Sequence, residues 1–216
     1  FTTKTSTEAV TGNYQAEFRI GGATFTRRVR IETVKPNRLK INLTFTGELL
    51  GGHTRDATGT LNVKWLNGME AKNLKTTVDY ILKHSRTQFE KYGQYIFDDP
   101  ISEFYSETVN IFNSTIDENG NATVKFDPGD ELKAPGMLTA VFTTKVQETG
   151  GDESITQTIC KYAPYPVFAG INFPGLRGKS RMLFTDANNE VKIVTVDEKG
   201  KPVKDEVEIS IYKLEY

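Results

Sequence analysis

Two histidines, one cysteine and a run of four carboxylates are the residues of this 216-residue chain whose types could carry chemistry. His53 lies in a glycine-rich loop and His84 at a predicted strand end. With no third nitrogen or thiolate nearby in sequence they make a poor zinc set, so a structural or solvated role is expected for both. Cys160 sits on an alternating strand with Ile155 and Ile159. No histidine follows it and a reactive thiol needs a lowered pKa, so it reads as a small buried hydrophobe. Asp98, Asp99, Glu103 and Glu107 offer hard oxygens of the kind calcium takes, but their spacing fits no calcium-loop signature. A solvated acidic rim with an Asp-Pro turn is the expected arrangement. The glycine-rich pieces at 47–52 and 170–178 lack the Lys-Ser/Thr ending of a phosphate loop, and no serine stands in a Gly-x-Ser-x-Gly elbow. The sequence thus nominates no catalytic, cofactor-binding or metal-binding residue, and no cofactor is expected.

Composition narrows the classes further. Twenty-seven basic against 28 acidic residues leave a formal charge of −1, which supplies no electrostatic footprint for nucleic acid or anionic lipid. No apolar run approaches the roughly 20 residues that span a bilayer. One cysteine gives no disulfide framework. Asn42-Leu-Thr44, Asn113-Ser-Thr115 and Asn121-Ala-Thr123 are glycosylation sequons that matter only in a glycosylating secretory pathway. Phe89, Tyr92, Tyr95, Phe97, Phe104 and Tyr105 crowd one irregular segment. They are expected as core and loop packing, with a sugar-binding face as the alternative.

The elements that would position these residues are strands. Tyr14, Ala16, Phe18 and Ile20 alternate, Gly21-Gly22 turns, and Phe25, Val29 and Ile31 return, which predicts a hairpin. Pro36 breaks it, and Leu39 to Phe45 alternates again. A loop is expected from Gly47 to Gly59, a strand through Leu61, Val63 and Trp65, a hairpin turn at Asn67-Gly68, and a strand over Leu74–Leu82. After the irregular segment, with one helical turn near Gln88–Lys91, Val109–Ile116 and Ala122–Phe126 are expected to pair as a hairpin about Glu118-Asn119-Gly120. Asp127-Pro-Gly-Asp130 is a further turn. Met137–Gln147 pairs with Ile155–Lys161, and Val167–Ile171, Arg181–Phe184, Val191–Val196 and Val207–Tyr212 follow as strands. About seven short strands in roughly 130 residues predict an all-β sandwich of immunoglobulin or fibronectin III type.

The pattern also repeats. Gly12 to Phe18 returns as Gly136 to Phe142, Gly21-Gly22 as Gly150-Gly151, Pro36 as Pro164 and Pro166, and Trp65–Gly68 as Val196–Gly200, each after about 130 residues. Tandem domains follow: residues 1–36 as the C-terminal strands of one module, 37–165 as a complete module, and 166–216 as the N-terminal strands of a third. The chain opens at Phe1 without a leader, so a longer parent polypeptide is expected.

In order, Arg38-Leu-Lys-Ile-Asn-Leu43, Leu61-Asn-Val-Lys-Trp-Leu-Asn-Gly-Met-Glu-Ala71, Thr115-Ile-Asp-Glu-Asn-Gly-Asn-Ala122, Lys145-Val-Gln-Glu-Thr-Gly-Gly151 and Val191-Lys-Ile-Val-Thr-Val-Asp-Glu-Lys-Gly-Lys-Pro202, then Ile209 to Glu215, resemble the bacterial alpha-2-macroglobulin family. The resemblance implies tandem macroglobulin β-sandwiches, the last resembling the start of the bait-region domain. It implies a non-catalytic segment of a broad-spectrum protease inhibitor that traps a protease after bait cleavage, some members using a Cys-x-Glu-Gln thioester. Cys160-Lys-Tyr-Ala163 is not that motif, so Cys160 takes no such role. The implied partners are adjacent macroglobulin domains of the same polypeptide and, through the full-length protein, target proteases. The implied location is periplasmic, cell-envelope or extracellular, with a lipid anchor on a missing N-terminus left open. The alternative reading is a cell-surface adhesion or carbohydrate-binding sandwich.

Overall fold

A computed structural model describes residues 4, 12–31, 37–54, 56–129, 132–174 and 186–211. The chain divides into two compact units, residues 1–37 and 38–216. In the first, β1 (Gly12–Ile20) and β2 (Ala23–Ile31) form an antiparallel ribbon. Its two-residue turn needs positive φ at both positions, and Gly21 and Gly22 supply 56° and 82°. The register sets Tyr14 opposite Val29 and Phe18 opposite Phe25. One face is therefore mostly apolar, interrupted by Arg27 opposite Ala16, and Phe18 and Phe25 remain 55% and 59% exposed.

The second unit holds the sandwich. One sheet has the order β3 (Leu39–Phe45), β5 (Ala57–Trp65), β8 (Asn121–Phe126). The other runs β4 (Leu49–Gly51), β10 (Glu153–Ala163), β9 (Leu138–Gln147), β6 (Lys75–His84), β7 (Val109–Thr115). Alternation buries Leu39, Leu43, Leu61, Val63, Val124 and Phe126 from the first sheet. Against them lie Val78, Tyr80, Leu82, Leu138, Ala140, Phe142, Val146 and Tyr162 from the second. β11 (Val167–Asn172) and β12 (Lys192–Asp197) make a separate antiparallel pair. A 3-10 turn, Glu90–Tyr92, falls within the stretch expected to hold one helical turn.

Four turns share one geometry. The N–H groups of Trp65, Asp117, Glu148 and Asp197 donate to the carbonyl four residues on, at 2.7, 2.9, 2.8 and 2.8 Å. In each, the glycine three residues on donates back, at 2.8, 3.1, 2.9 and 2.9 Å. This is the three-residue loop of a type I turn followed by a left-handed residue, and Gly68, Gly120, Gly151 and Gly200 take φ of 89°, 74°, 86° and 78°. The carboxylates of Asp117 and Asp197 reinforce theirs by each accepting two N–H groups through Oδ1.

The turns at Trp65 and Asp117 lead from one sheet to the other, which corrects the hairpins expected at Asn67-Gly68 and at Glu118-Asn119-Gly120. β5 pairs with β3 and β8, whereas β6 and β7 pair with each other in the opposite sheet. After Trp65 the return extends only to a bridge between Lys64 and Glu70, and Asn73, at a positive φ of 52°, redirects the chain across the core. Ile116 then donates to the Leu74 carbonyl at 3.1 Å where the chain crosses back. The expected loop from Gly47 to Gly59 holds β4, which runs parallel to the end of β10. Residues 207–211 form no strand, and Ile211 is 94% exposed. Arg181–Phe184, Tyr212 and Asp130 lie outside the described residues.

The start of the sandwich is held by charge. Glu148, in the β9–β10 turn, has a side chain only 2% exposed. Its Oε2 meets Arg38 Nη2, and its Oε1 accepts from Ser154 Oγ at 3.1 Å. The Arg38 carbonyl in turn accepts from Leu66 N–H at 3.0 Å. Removing the guanidinium leaves a buried carboxylate with one neutral donor. Because Arg38 is itself more than half exposed, solvent offsets part of that loss, and Arg38→Ala is expected to cost about 1–3 kcal/mol in urea unfolding. Adding Glu148→Gln removes the stranded charge and should recover a good part of it. Superimposable unfolding curves for the wild type and Arg38→Ala would refute this.

Candidate functional site: an aromatic joint beneath the last two strands

The segment after β6 crosses the end of the sandwich on a polar frame. Ser85 N–H donates to the Met137 carbonyl at 3.0 Å, and Met137 N–H donates to Thr87 Oγ1 at 2.7 Å. Thr87 N–H is shared between both carboxylate oxygens of Asp98, at 3.0 and 3.1 Å, and Asp99 N–H donates to the Pro135 carbonyl at 2.7 Å. Gly136 is required where these groups converge, because a Cβ there would stand 2.2 Å from Asp98 Oδ1 and 2.4 Å from Thr87 Oγ1.

That frame delivers the aromatic residues into a second core. Phe89 and Phe97 pack edge to face at 4.8 Å and 76°, and Phe89 meets Phe168 of β11 at 5.8 Å and 61°. Ala163 and Val196 are buried with them, while Tyr92, Tyr95 and Tyr165 are half-buried around the rim. Ile96 and Ile171 exchange two backbone hydrogen bonds, at 2.8 and 2.9 Å, fastening the segment to β11. Two glycines make the room. A Cβ at Gly170 would lie 2.5 Å from the Phe97 ring, and one at Gly200 would lie 2.7 Å from that of Phe89. Tyr165 locks the adjoining corner, since its hydroxyl donates to the Ala134 carbonyl and accepts from the Ala134 N–H, both at 2.8 Å.

The residues singled out by type are not assembled into one centre. His84 Nε2 is 3.6 Å from Asp98 Oδ1, and His53 Nε2 is 3.8 Å from Glu198 Oε2, so each histidine faces one carboxylate. Among the described residues no three His, Cys, Asp or Glu side chains are grouped to hold a metal. The acidic run is used locally: Asp98 staples Thr87, Asp99 Oδ1 accepts from Ile101 N–H at 3.0 Å, and Glu103 accepts from the Tyr105 hydroxyl at 2.8 Å. Asn42 and Asn113 are exposed, whereas Asn121 Oδ1 accepts from Asn62 Nδ2 at 2.7 Å. The flat sugar platform considered for the aromatic run does not form, because its rings meet at steep angles and Phe89 and Phe97 are buried. Tyr105 is the exception, at 84% exposed. The Arg38–Glu148 pair and the glycines that admit Phe89 and Phe97 went unread in the sequence. Gly200, in its turn motif, was the one visible signal.

Cys160 faces inward with Ser154, Thr156, Thr158 and Tyr162, half-buried against the main core, while Ile155 and Ile159 point to the opposite, exposed face. Burial pushes its thiol up from the ordinary value. Burial, and then the Asp127 charge, likewise raise the Tyr80 phenol. Alkylation needs the thiolate, so iodoacetamide should modify native Cys160 more slowly than a free cysteine and begin to accelerate at higher pH. Denaturant should abolish the difference; equal native and denatured rates would contradict it. Gly170→Ala is expected to lower stability by about 1–3 kcal/mol by driving a methyl into the Phe97 ring. Faster chymotryptic cleavage between residues 89 and 105 would report the loosened joint, and an unchanged digestion rate would show that the ring yields freely.

Set against known families, residues 37–162 match the Bacterial Alpha-2-macroglobulin MG5 domain. No curated protein matches. The native conformation of Escherichia coli alpha-2-macroglobulin superposes with a TM-score of 0.59 and 19% identity, covering 89% of this chain and 13% of that one. Salmonella alpha-2-macroglobulin reacted with methylamine gives 0.56 and 18%, covering 90% and 13%. Trypsin-activated alpha-2-macroglobulin from Escherichia coli gives 0.54 and 19%, covering 91% and 14%. This chain therefore spans a small part of the solved proteins it resembles, and at such identities those matches establish the fold. The family match itself covers more than half of the chain, and with the observed sandwich it shows that the chain belongs to the bacterial alpha-2-macroglobulin family.

Proposed function

We propose that this chain is a non-catalytic structural segment of a bacterial alpha-2-macroglobulin-like, broad-spectrum protease inhibitor that traps its target after cleavage of a bait segment. The match of residues 37–162 to the family's MG5 domain carries the reading. On it, residues 37–165 are one complete macroglobulin domain. Residues 1–36 are the last strands of the domain before it, and 166–216 are the first strands of the domain after it, of bait-region type. The exposed, mostly apolar face of the β1–β2 ribbon supports the first assignment, since a two-stranded ribbon is marginal by itself. The packing supports a scaffolding role, since the sandwich is closed by aromatic rings and joined to β11 and β12 through a second core.

The partners on this reading are neighbouring macroglobulin domains of the same polypeptide and, through the whole protein, proteases. The place of action is the periplasm, the cell envelope or the exterior. No helix among the described residues is long and apolar enough to cross a membrane.

The test is to incubate the full-length parent with several unrelated proteases. The expected result is limited cleavage at one segment, with activity lost towards large substrates and retained towards small ones, because a trapped protease keeps its active site but is fenced from bulky molecules. Indiscriminate digestion without loss of activity would reject the inhibitor role.

A further inference from the structure

The Asp197–Lys201 turn, the end of β10 and the segment after β6 enclose a groove of about 540 Å³. Its apolar lining includes Leu49 and Met137, and five cations surround it: Arg86, Lys91, Lys161, Lys199 and Lys201. All five are exposed, and among the described residues none makes an ion pair. In a chain of net charge −1, five cations against the three glutamates Glu48, Glu90 and Glu198 give this groove a local positive excess. The Asp197 carboxylate fixes part of it, because accepting the N–H groups of Lys199 and Lys201 holds that turn rigid. Glu48, Glu90 and Glu198 also line the groove, and Glu198 is drawn aside, its stem against Gly52 and its Oε2 toward His53.

We propose that this groove binds an extended acidic peptide segment. Spaced cations beside apolar lining suit a chain that alternates carboxylates with small apolar side chains. The interspersed Glu48 and Glu90 would repel the dense charge of a polyphosphate, but they can accept N–H groups from a peptide backbone. Arg86 and Lys161 stand on the sandwich and Lys199 and Lys201 on the turn after β12, so one occupant bridges both sides of the aromatic joint. The site draws on no residue of the protease-trapping reading and stands apart from it.

The test uses the 216-residue chain and the labelled heptapeptide Glu-Leu-Glu-Ala-Glu-Leu-Glu in fluorescence anisotropy, with the all-glutamine counterpart as control. Binding on the order of 100 µM is expected at low salt, weakening several-fold when the Debye length is shortened at 0.2 M salt. The double variant Lys161→Glu/Lys199→Glu, both at exposed positions, should keep the wild-type circular dichroism and thermal midpoint and bind at least about tenfold more weakly. Lys201→Gln alone should give a smaller loss. Equal binding of the glutamine peptide, no binding of either peptide, or undiminished binding by the double variant would each overturn the proposal.

Discussion

The ring of Phe126 is the contact on which the sandwich closes. It stands on β8, in the smaller sheet, and lies 4.9 Å from Tyr80 on β6, 5.1 Å from Phe142 on β9, 5.5 Å from Tyr162 on β10 and 6.3 Å from Phe45 on β3. Five strands from both sheets thus meet on one side chain, most at nearly perpendicular ring angles that set a positive edge against a negative face. Phe45 reaches the cluster only because Gly59, directly opposite on β5, has no side chain to fill the space its ring occupies. The register of each of these strands is fixed by this centre, since a one-residue slip of a strand would turn its buried ring outward.

A second, smaller core repeats the principle where the chain leaves the sandwich. Phe89 and Phe97 come from an irregular segment with little backbone pairing of its own, so their burial has to hold that segment against β11 and β12. Polar groups make this possible: Thr87, Asp98 and Asp99 satisfy backbone donors and acceptors that a strand would otherwise pair. The two cores lie on either side of the β10 end, where Tyr162 faces the first and Ala163 the second. Successive side chains of a strand point to opposite faces, so a single strand serves as the wall between them.

The legible part of this fold follows from that same alternation. The β1–β2 and β9–β10 hairpins and the strands β3, β11 and β12, though not the pairing of the last two, are readable because apolar residues at every second position end at glycine or proline turns. What alternation cannot encode is which sheet a strand joins. Val124 and Phe126 point into the core as inward residues of the opposite sheet would, so the turn at Asp117–Asn121 was read as a hairpin when it joins two sheets. The segment 207–211 has strand composition but no ladder partner among the described residues, and composition alone does not make a strand. For the candidate sites, residue types hid the groups that matter most to packing. Arg38 and Glu148 are 110 positions apart, and nothing local in either neighbourhood announces the other. Asp98 looked like part of a solvated rim because its partner, the Thr87 backbone, carries no signature in sequence.

The turn after β12 joins an inner packing contact to surface charge. Gly200 faces inward and allows the Phe89 ring to approach; Lys199 and Lys201, on either side, present their charges to the groove. Inner packing and outer charge are thus carried by three consecutive residues whose backbone is fixed by one carboxylate, Asp197. Phe89 is also wedged against Phe97 and Phe168, so the turn after β12 packs directly onto the second core that joins the sandwich to its last two strands.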